Sequence, residues 1–391
     1  MCRKNAAKIT HRIRKESVRS KQVVKWLGFY YNNSKKDTMQ KGVDAVLRIL
    51  HAADLHLDSP FAALTPEQAV QRRQLQRRLP EQIVELCSLH RCDLLLLAGD
   101  VFDGKRVCPE SIRALRDALG RCEARVFLAP GNHDPYDERS PWAVAEWPEN
   151  VHIFTGTPEA VTLPELGCRV WGGAFVSGTC EGGLPSVQSR GLLEIGVYHG
   201  DLRPDSPYRG LSGQDVERSG LNYLALGHTH APKLPERMGK TWCGWPGVAM
   251  GRGFDECGPH GVFLTELDQD HCRTTALTIP GPRYEKLTVE AGKEPVLPAD
   301  SRSVICRLTV TGDADRFDRE ALQRRLAPEF LSLEIRDETE PPEDLWAACK
   351  DGTLRGMALD ILKTRFDSGD REEAVLAARY VLAALEGREA P

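Results

Sequence analysis

The 391-residue sequence predicts an α/β fold. Two observations predict it: short apolar runs with the length of buried strands alternate with helix patterns, and each run is followed closely by a polar cluster. The runs occupy residues 46–50, 94–98, 126–129, 195–198 and 223–226. In open α/β sheets, ligands bind just beyond the carboxyl ends of the strands, so the five polar clusters should converge on one site.

The helix patterns between these strands carry start and stop signals. Residues 65–68 read Thr-Pro-Glu-Gln, a capping box with proline at the first helical position. They open a helix expected over 65–89, which Pro80 should split or kink because proline cannot continue the hydrogen-bond ladder. A second helix is expected over 109–119, ahead of a glycine.

Composition divides the chain into four parts, with Pro-Gly-Pro at 280–282 and Pro-Pro at 341–342 as internal breaks. Within the main body, Gly-separated alternating segments at 161–176 and 241–278 predict antiparallel strands. The parts are a basic, disordered extension (1–44), the main body (45–283), a small α+β domain (284–340) and a C-terminal helical pair (341–391). The pair is amphipathic, so its apolar stripes should pack on the chain itself, on each other or on a partner.

Charge is distributed unevenly along the chain. Residues 1–42 carry 12 Lys or Arg and two acids, while the net charge of the whole chain is −4. Such a basic arm can bind nucleic acid or an anionic surface through counterion release. The favoured alternative is a disordered stretch or a start-site extension ahead of Met39, since strand patterning begins only at Val46. A mitochondrial-type transit peptide fits the many Lys and few Ser less well.

Two further features bear on the compartment. No stretch approaches the roughly 20 apolar residues that a membrane span needs, and no secretory signal is apparent. The 12 cysteines include no C-x-x-C pair, which excludes zinc-ribbon and thioredoxin-type sites on spacing. Reduced thiols and a cytoplasmic protein without membrane association are therefore expected.

The polar clusters predict a metal site. They read Asp54-Leu55-His56, Gly99-Asp100-Val101-Phe102-Asp103, Gly131-Asn132-His133-Asp134, His199-Gly200 and Gly227-His228-Thr229-His230. Hard divalent cations bind carboxylate and amide oxygens and imidazole, and the clusters supply this mixture without cysteine. A single carboxylate such as Asp100 can bridge two cations about 3.5–4 Å apart. A lone histidine at a strand end is more often structural, but five such clusters in this order favour metal binding.

The order and wording of these clusters resemble the calcineurin-like metallophosphoesterase superfamily. Within it, the stretches 53–57, 99–103 and 131–134 are similar to the SbcD and YhaO group of bacterial DNA repair exonucleases, and residues 251–256, Gly-Arg-Gly-Phe-Asp-Glu, are also typical of that group. The resemblance covers residues 46–283; beyond 284 it rests on domain layout alone. It implies a four-layer α-β-β-α sandwich with the site at the sheet edges, a small α+β capping domain and a C-terminal helical tail.

The resemblance also implies roles for nine residues. The first metal would be held by Asp54, His56, Asp100 and His230, and the second by Asp100, Asn132, His199 and His228. His133 would be a catalytic histidine that protonates the leaving oxygen without binding metal, and Asp103 would orient it. Two divalent ions are expected, and manganese suits this set of oxygen and nitrogen ligands.

The substrate is less constrained by the sequence. The resemblance favours a DNA exonuclease or endonuclease of DNA repair, bound to an SbcC-like coiled-coil ATPase through helices within 353–386; a homodimer is left open. The alternatives are a phosphoesterase for small nucleotides or phosphoproteins, and a non-catalytic scaffold that keeps the metals. Four arginines could track a phosphate backbone or form a solvated helix face: Arg72, Arg73, Arg77 and Arg78.

Overall fold

The computed structural model describes residues 46–62, 64–180, 183–188, 191–340 and 345–387. The basic extension predicted at 1–44 lies outside the described residues. None of the helices in the described ranges is long and apolar enough to cross a membrane.

The helices and strands of the described residues follow the predicted alternation in the main body. The strands are β1 (Leu47–Ala52), β2 (Leu94–Leu97), β3 (Arg125–Leu128), β4 (Val151–Ile153), β5 (Glu159–Leu163), β6 (Cys168–Gly172), β7 (Leu193–His199), β8 (Tyr223–Gly227), β9 (Lys233–Met238), β10 (Thr241–Trp245), β11 (Gly261–Leu267), β12 (Cys272–Thr278), β13 (Arg283–Glu290), β14 (Val304–Asp313) and β15 (Ser332–Glu340). The α-helices are α1 (Pro66–Gln76), α2 (Leu79–Leu89), α3 (Pro109–Leu119), α4 (Pro141–Val144), α5 (Gly213–Ser219), α6 (Arg319–Leu326), α7 (Leu354–Asp367) and α8 (Arg371–Leu385).

Two six-stranded sheets form the centre of the main body. Their strand orders are β12-β11-β1-β2-β3-β4 and β5-β6-β7-β8-β10-β9. One buried cluster joins the facing sides of both sheets, including Ile49 and Leu96 from one and Ile195 and Val197 from the other. Further buried clusters fill the outer faces, with helices α1–α3 against the first sheet and α5 against the second. This arrangement confirms the predicted four-layer sandwich.

Parallel pairing aligns the strand ends that carry the polar clusters. In the first sheet, Ala52 of β1 pairs with Leu97 of β2, and Leu97 pairs with Leu128 of β3. In the second sheet, His199 at the end of β7 pairs with Gly227 at the end of β8. Since the carboxyl ends of parallel strands meet at one edge, the residues that follow them are brought together.

Proline acts at the first long helix as predicted. The capping box is formed: the Thr65 side chain accepts a hydrogen bond from the Gln68 backbone, and the Gln68 side chain accepts one from the Thr65 backbone. The chain breaks at Arg77–Arg78 and resumes as α2, where Pro80 occupies the first turn. Backbone N–H groups in the first turn of a helix have no intrahelical acceptor, so proline, which lacks this group, is tolerated at that position.

After the main body, three parallel strands form a separate sheet in the order β13-β14-β15. One face packs with α6 around a buried cluster that includes Cys306, Leu308 and Leu326. Strand β13 was not predicted, because its apolar residues do not alternate: Tyr284 lies on the opposite face from Val289. Helices α7 and α8 pack on each other through Leu359, Ala378 and Leu382.

Candidate metal centre

The predicted ligands lie at the aligned strand ends. Asp54 and His56 follow β1, Asp100 follows β2, Asn132 follows β3, His199 ends β7, and His228 and His230 follow β8. Four of them have left-handed backbones, with φ of +50° at Asp54, +46° at His56, +49° at Asp100 and +87° at His228. This conformation costs a residue other than glycine of order 1–3 kcal/mol, so surrounding structure must hold it.

Two glycines allow the loops to approach one another closely. A Cβ on Gly99, whose φ is +85°, would lie 2.4 Å from Nδ1 of His199. A Cβ on Gly131 would lie 2.2 Å from Oδ1 of Asp100. Neither position could carry a side chain without displacing a predicted ligand.

One group of possible metal ligands combines Asp54, His56 and His230, whose ligand atoms all lie within 4.8 Å of one another. The Nε2 atoms of the two histidines are 3.3 Å apart. His56 Nε2 is also 4.0 Å from Asp54 Oδ1 and 3.9 Å from Asp100 Oδ2. Two imidazoles whose Nε2 atoms converge beside two carboxylates have the geometry that a divalent cation requires.

A second group combines Asp54, Asp100 and His199, again within 4.8 Å. His199 Nε2 lies 3.3 Å from Asp100 Oδ2 and 3.0 Å from Asn132 Oδ1. The other ring nitrogen of His199 is 2.9 Å from the Ala98 carbonyl oxygen, which directs Nε2 into the site. Asp54 and Asp100 therefore lie between the two groups of ligands.

His228 lies at the margin of this arrangement. Its ring centroid is 5.3 Å from that of His199, and its backbone N–H donates to both carboxylate oxygens of Asp54 at 3.1 Å. Its Nε2 lies 3.4 Å from Oδ2 of Asp201. His228 is in none of the ligand groups found among the described residues, so its assignment as a ligand stays a prediction.

The electrostatics of the site are those of buried carboxylates and imidazoles that share protons. Burial alone would lower the pKa of His199, but the neighbouring Asp100 carboxylate raises it to about 9. Burial would raise the pKa of Asp100, yet the charge of His199 lowers it below its ordinary range. Burial raises the pKa of Asp54. A cation entering such a site replaces protons, so its affinity should rise with pH.

His133 lies at the rim of the site. It forms a third possible ligand group with His56 and Asp100, but its side chain is 44% exposed, unlike the other two members. Its Nδ1 is 3.2 Å from Oδ1 of Asp103, and this hydrogen bond raises the pKa of His133. The structure thus brings Asp103 within hydrogen-bond distance of His133. The roles of Asp103 as the orienting acid and of His133 as a proton donor that binds no metal stay predictions.

Asp103 has more partners than the sequence indicated. Its Oδ1 is also 2.8 Å from Nδ1 of His56 and 3.5 Å from Nη1 of Arg252. A carboxylate bonded to the far nitrogen of a ligand histidine fixes the ring orientation and the tautomer. Asp103 therefore supports one predicted ligand and the predicted catalytic histidine at the same time.

Three further residues support the ligands and were not singled out from the sequence. Glu256 Oε1 is 2.8 Å from Nδ1 of His230, and Arg252 bridges Glu256 and Asp103. Asp134 accepts hydrogen bonds from the backbone N–H groups of Val101, Phe102 and Gly131, which ties together two ligand loops. Asp134 was visible as the last residue of its motif; Arg252 and Glu256 were visible only through the resemblance of residues 251–256.

Of the four arginines of α1 and its end, Arg72 is buried, so both sequence interpretations are wrong for Arg72. Only 5% of Arg72 is exposed, and its guanidinium lies between the rings of Phe61 and Tyr284 at 5.6 and 5.3 Å. Aromatic faces stabilise a buried guanidinium, which helical spacing alone could not reveal. Arg77 is paired with Asp58, at 3.2 Å.

Comparison with known proteins agrees with this geometry. Residues 47–232 match the family described as calcineurin-like phosphoesterase. These residues form a calcineurin-like phosphoesterase domain. The two possible ligand groups that contain Asp54 combine residues from the start and the end of this phosphoesterase domain, 54–56 and 199–230.

Curated relatives extend the similarity to different extents. The uncharacterized metallophosphoesterase YhaO of Bacillus subtilis is 31% identical over 252 residues, 56% of this chain and 57% of that protein. The DNA double-strand break repair protein Mre11 of Methanopyrus kandleri is 25% identical over 386 residues, 83% of this chain and 80% of that protein. The SbcD component of the nuclease SbcCD of Rhodobacter capsulatus is 33% identical over 131 residues, 32% of this chain and 27% of that protein.

The donor set of the phosphoesterase domain fits divalent metal ions. Buried carboxylate oxygens and imidazole nitrogens converge within 4.8 Å, and no cysteine takes part. Like charges at this separation are stabilised by a cation placed among them. The structure therefore supports a metal centre of oxygen and nitrogen ligands.

Proposed function

We propose that this protein is a two-metal phosphodiester hydrolase, namely a DNA exonuclease or endonuclease of DNA repair that works with an SbcC-like coiled-coil ATPase. The observation that carries the proposal is the convergence of ligand groups around Asp54 and Asp100. Relatives named as a nuclease component and a DNA break repair protein support the nuclease over other phosphoesterases. Manganese is the proposed metal, because it accepts this mixture of oxygen and nitrogen ligands.

In the proposed mechanism the chain's own residues position the reaction. Asp54, His56, Asp100 and His230 would hold one ion, and Asp100, Asn132, His199 and His228 the other. When bound, the two ions would supply Lewis acidity at the phosphoryl oxygens and a nucleophile from water at neutral pH. His133 would donate a proton from Nε2 to the leaving oxygen, since its Nδ1 is engaged by Asp103.

A cleft beside the site supports a polymeric substrate. It has a volume of about 690 Å³, and Asp103, Arg252 and Glu256 are among the residues that line it. Lys286 and Arg307, which pair in register on adjacent strands of the three-stranded sheet, also line it. Arg307 is engaged by Glu334 through two hydrogen bonds of 3.0 Å, so Lys286 offers the cation that could hold a phosphate beside the scissile bond. In this proposal the sheet acts as the predicted cap.

The proposed partner site is the exposed face of the C-terminal helices. Leu354, Met357 and Ile361 of α7 are 72%, 62% and 66% exposed, although their spacing is that of an apolar stripe. An amphipathic helix that leaves this face exposed is suited to bind an apolar groove or a coiled coil. The ATPase partner follows from this face together with the resemblance to SbcD-like enzymes.

A small-substrate phosphoesterase is the second candidate, favoured by the acidic body. Residues outside the basic arm carry an excess of acids, and Asp255 and Glu334 line the same cleft as the two cations. A surface without net positive charge binds DNA weakly. The cytoplasmic location, which was predicted from the cysteines, is also a proposal.

One incubation separates the candidates. Purified protein is mixed with end-labelled linear DNA and, in parallel, with a small chromogenic phosphodiester, each with Mn²⁺ or with EDTA. The nuclease proposal expects Mn²⁺-dependent shortening of the DNA that EDTA abolishes. Hydrolysis of the small diester with intact DNA would support the second candidate instead. The Asp100→Ala protein serves as the control for a contaminating nuclease.

A further inference from the structure

The buried face of α1 is unusual in its chemistry. The residues that this helix buries are Ala69, Arg72 and Gln76, with Gln76 fully buried and Arg72 5% exposed. A helix on the outside of a sandwich normally turns an apolar stripe towards the core. Arg72 and Gln76 are four residues apart, so they lie on the same face one turn apart.

These two side chains reach two separate parts of the metal centre. Gln76 Nε2 donates to the His56 carbonyl oxygen at 2.9 Å. Arg72 Nη2 donates to the Gly251 carbonyl oxygen at 2.8 Å. His56 is a predicted ligand, and Gly251 immediately precedes Arg252 in the loop that also carries Glu256.

The bond from Gln76 acts on a strained residue. The backbone of His56 is left-handed, with φ of +46°, and its carbonyl also accepts from the hydroxyl of Ser59 at 2.8 Å. A left-handed histidine persists only where its surroundings fix it. Gln76, together with the backbone N–H and hydroxyl of Ser59, therefore helps to fix the backbone that carries the His56 ring into the site.

The bond from Arg72 acts through the loop 251–256. Glu256 reaches Nδ1 of His230 at 2.8 Å, and Arg252 Nη2 lies 3.3 Å from the same nitrogen. Anchoring Gly251 thus anchors the groups that turn Nε2 of His230 towards Nε2 of His56. Both bonds from α1 serve the ligand group of Asp54, His56 and His230, and neither touches His199 or Asn132.

Stability alone does not account for this polar face. Gln76 Oε1 is buried without a hydrogen-bond partner in the part of the chain that the structure describes. Such an unsatisfied group costs about 1–3 kcal/mol, whereas an apolar side chain of similar size would join the neighbouring cluster without that cost. The guanidinium of Arg72 is stabilised by the rings of Phe61 and Tyr284, and it also donates to the Gly251 carbonyl. The two residues are therefore better explained by what they position.

We propose that Arg72 and Gln76 are positioning residues that set the affinity of one of the two metal sites, the one formed by Asp54, His56 and His230. The inference rests on the ligand set given under the proposed function. Outer partners of metal ligands typically contribute about 10- to 100-fold to metal affinity. The other site, around Asn132 and His199, has its own supports in Ala98 and Asp134 and should be unaffected.

The test is a calorimetric titration of Mn²⁺ into folded protein. Gln76→Met and Arg72→Met each remove a donor at nearly constant volume, and each should weaken one of two binding events by about 10- to 100-fold while sparing the other. Arg72→Lys still offers a donor to Gly251 and should recover part of the loss. Gln74→Leu and Arg113→Met, at exposed helix positions, are matched controls that should bind as wild type.

Thermal melts of metal-free protein separate positioning from a structural role. A structural role would lower the melting temperature of metal-free Gln76→Met while leaving the metal affinities of the folded protein unchanged, and that result overturns the inference. Wild-type affinities in both methionine variants would overturn it as well. Equal affinities in Arg72→Lys and Arg72→Met would remove the hydrogen bond to Gly251 from the argument.

The Asp100→Ala protein, titrated alongside, keeps this inference distinct from the proposed function. If Asp100→Ala still binds two ions, the ligand set itself is wrong. If Asp100→Ala loses metal while both methionine variants bind normally, only the role of Arg72 and Gln76 is refuted.

Discussion

The strand ends of the sandwich and the C-terminal helix pair depart in opposite ways from the usual pattern of exposed polar residues and buried apolar residues. At the strand ends, polar residues are buried: Asp54, His56 and His199 are at most 1% exposed. On α7, apolar residues are exposed, Leu354 at 72% and Ile361 at 66%. Buried polar groups must be satisfied by particular partners, so their residue types identify the chemistry. Exposed apolar groups need only be covered, so they identify a surface and say less about what covers it.

The largest effect is expected at the carboxylate shared by the strand ends. Asp100→Ala should lose bound metal and activity together. Both should fall by more than about 100-fold, which is the effect of removing an outer partner of a ligand. The cause is that Asp100 lies within reach of both ligand groups. Metal content and hydrolysis of a small phosphodiester are the measurements. Asp100→Ala protein that keeps its turnover would contradict the view that buried polar residues identify the chemistry.

His133→Ala tests the rim of the same site. The variant should retain bound metal and lose about 10²- to 10⁴-fold in turnover, the usual contribution of a positioned general acid. His133→Ala protein with unchanged rates would exclude this residue from proton transfer. Loss of metal together with rate would instead make His133 a ligand, as its closeness to His56 and Asp100 permits.

The helix pair is tested by charging its apolar face. Met357→Glu combined with Ile361→Glu should weaken binding of the coiled-coil ATPase by about 2 kcal/mol or more, roughly 30-fold, if this face is the centre of the interface. Hydrolysis of a small diester should not change, because both side chains are exposed. Gln74→Glu, at an exposed position of α1 and outside the helix pair, is the matched control. Binding that survives the double substitution would show that exposed apolar residues did not mark the partner site here.

The smallest effect concerns a buried polar residue away from the strand end. Burial lowers the pKa of His51, on β1, to about 3. The unfolded chain binds this proton near pH 6.5 and the folded chain does not, so His51 reduces the free energy of unfolding as pH falls below about 6.5. The reduction approaches about 1.4 kcal/mol per pH unit.

His51→Leu should therefore unfold with a weaker dependence on pH between about 6.5 and 5 than wild type, with metal binding preserved. Denaturant melts across that range measure it. Identical pH dependence in the two proteins would contradict the assignment of His51 as a neutral core residue. Such a core histidine sharpens the comparison, because it is buried like His56 yet lies on the strand rather than beyond it.

The sequence predicted the α/β class and the polar edge because both follow from short-range patterns, whereas the four-layer sandwich was implied by the resemblance to the superfamily. Apolar runs of strand length locate β1, β2, β3, β7 and β8, and parallel pairing then brings their ends together. The candidate ligands were located because each lies at the end of a strand or within a few residues of it.

Features that depend on distant parts of the chain were not predictable in the same way. Arg252 meets Asp103 across 149 residues, and Arg72 meets Gly251 across 179. The burial of Arg72 depends on rings supplied by Phe61 and Tyr284. Strand β13 has apolar residues on both faces, because Tyr284 contacts Phe254 of the main body while Val289 lies in the buried cluster of the three-stranded sheet. This removes the alternation that would have identified the strand.

The most direct test of the two-metal centre is a crystal structure of Mn²⁺-loaded protein with anomalous scattering recorded for manganese. Two peaks are expected about 3.5–4 Å apart with Asp100 between them, one against His56 and His230 and the other against Asn132 and His199. A single peak, or peaks away from Asp100, would contradict the two-metal centre on which the proposed hydrolase depends.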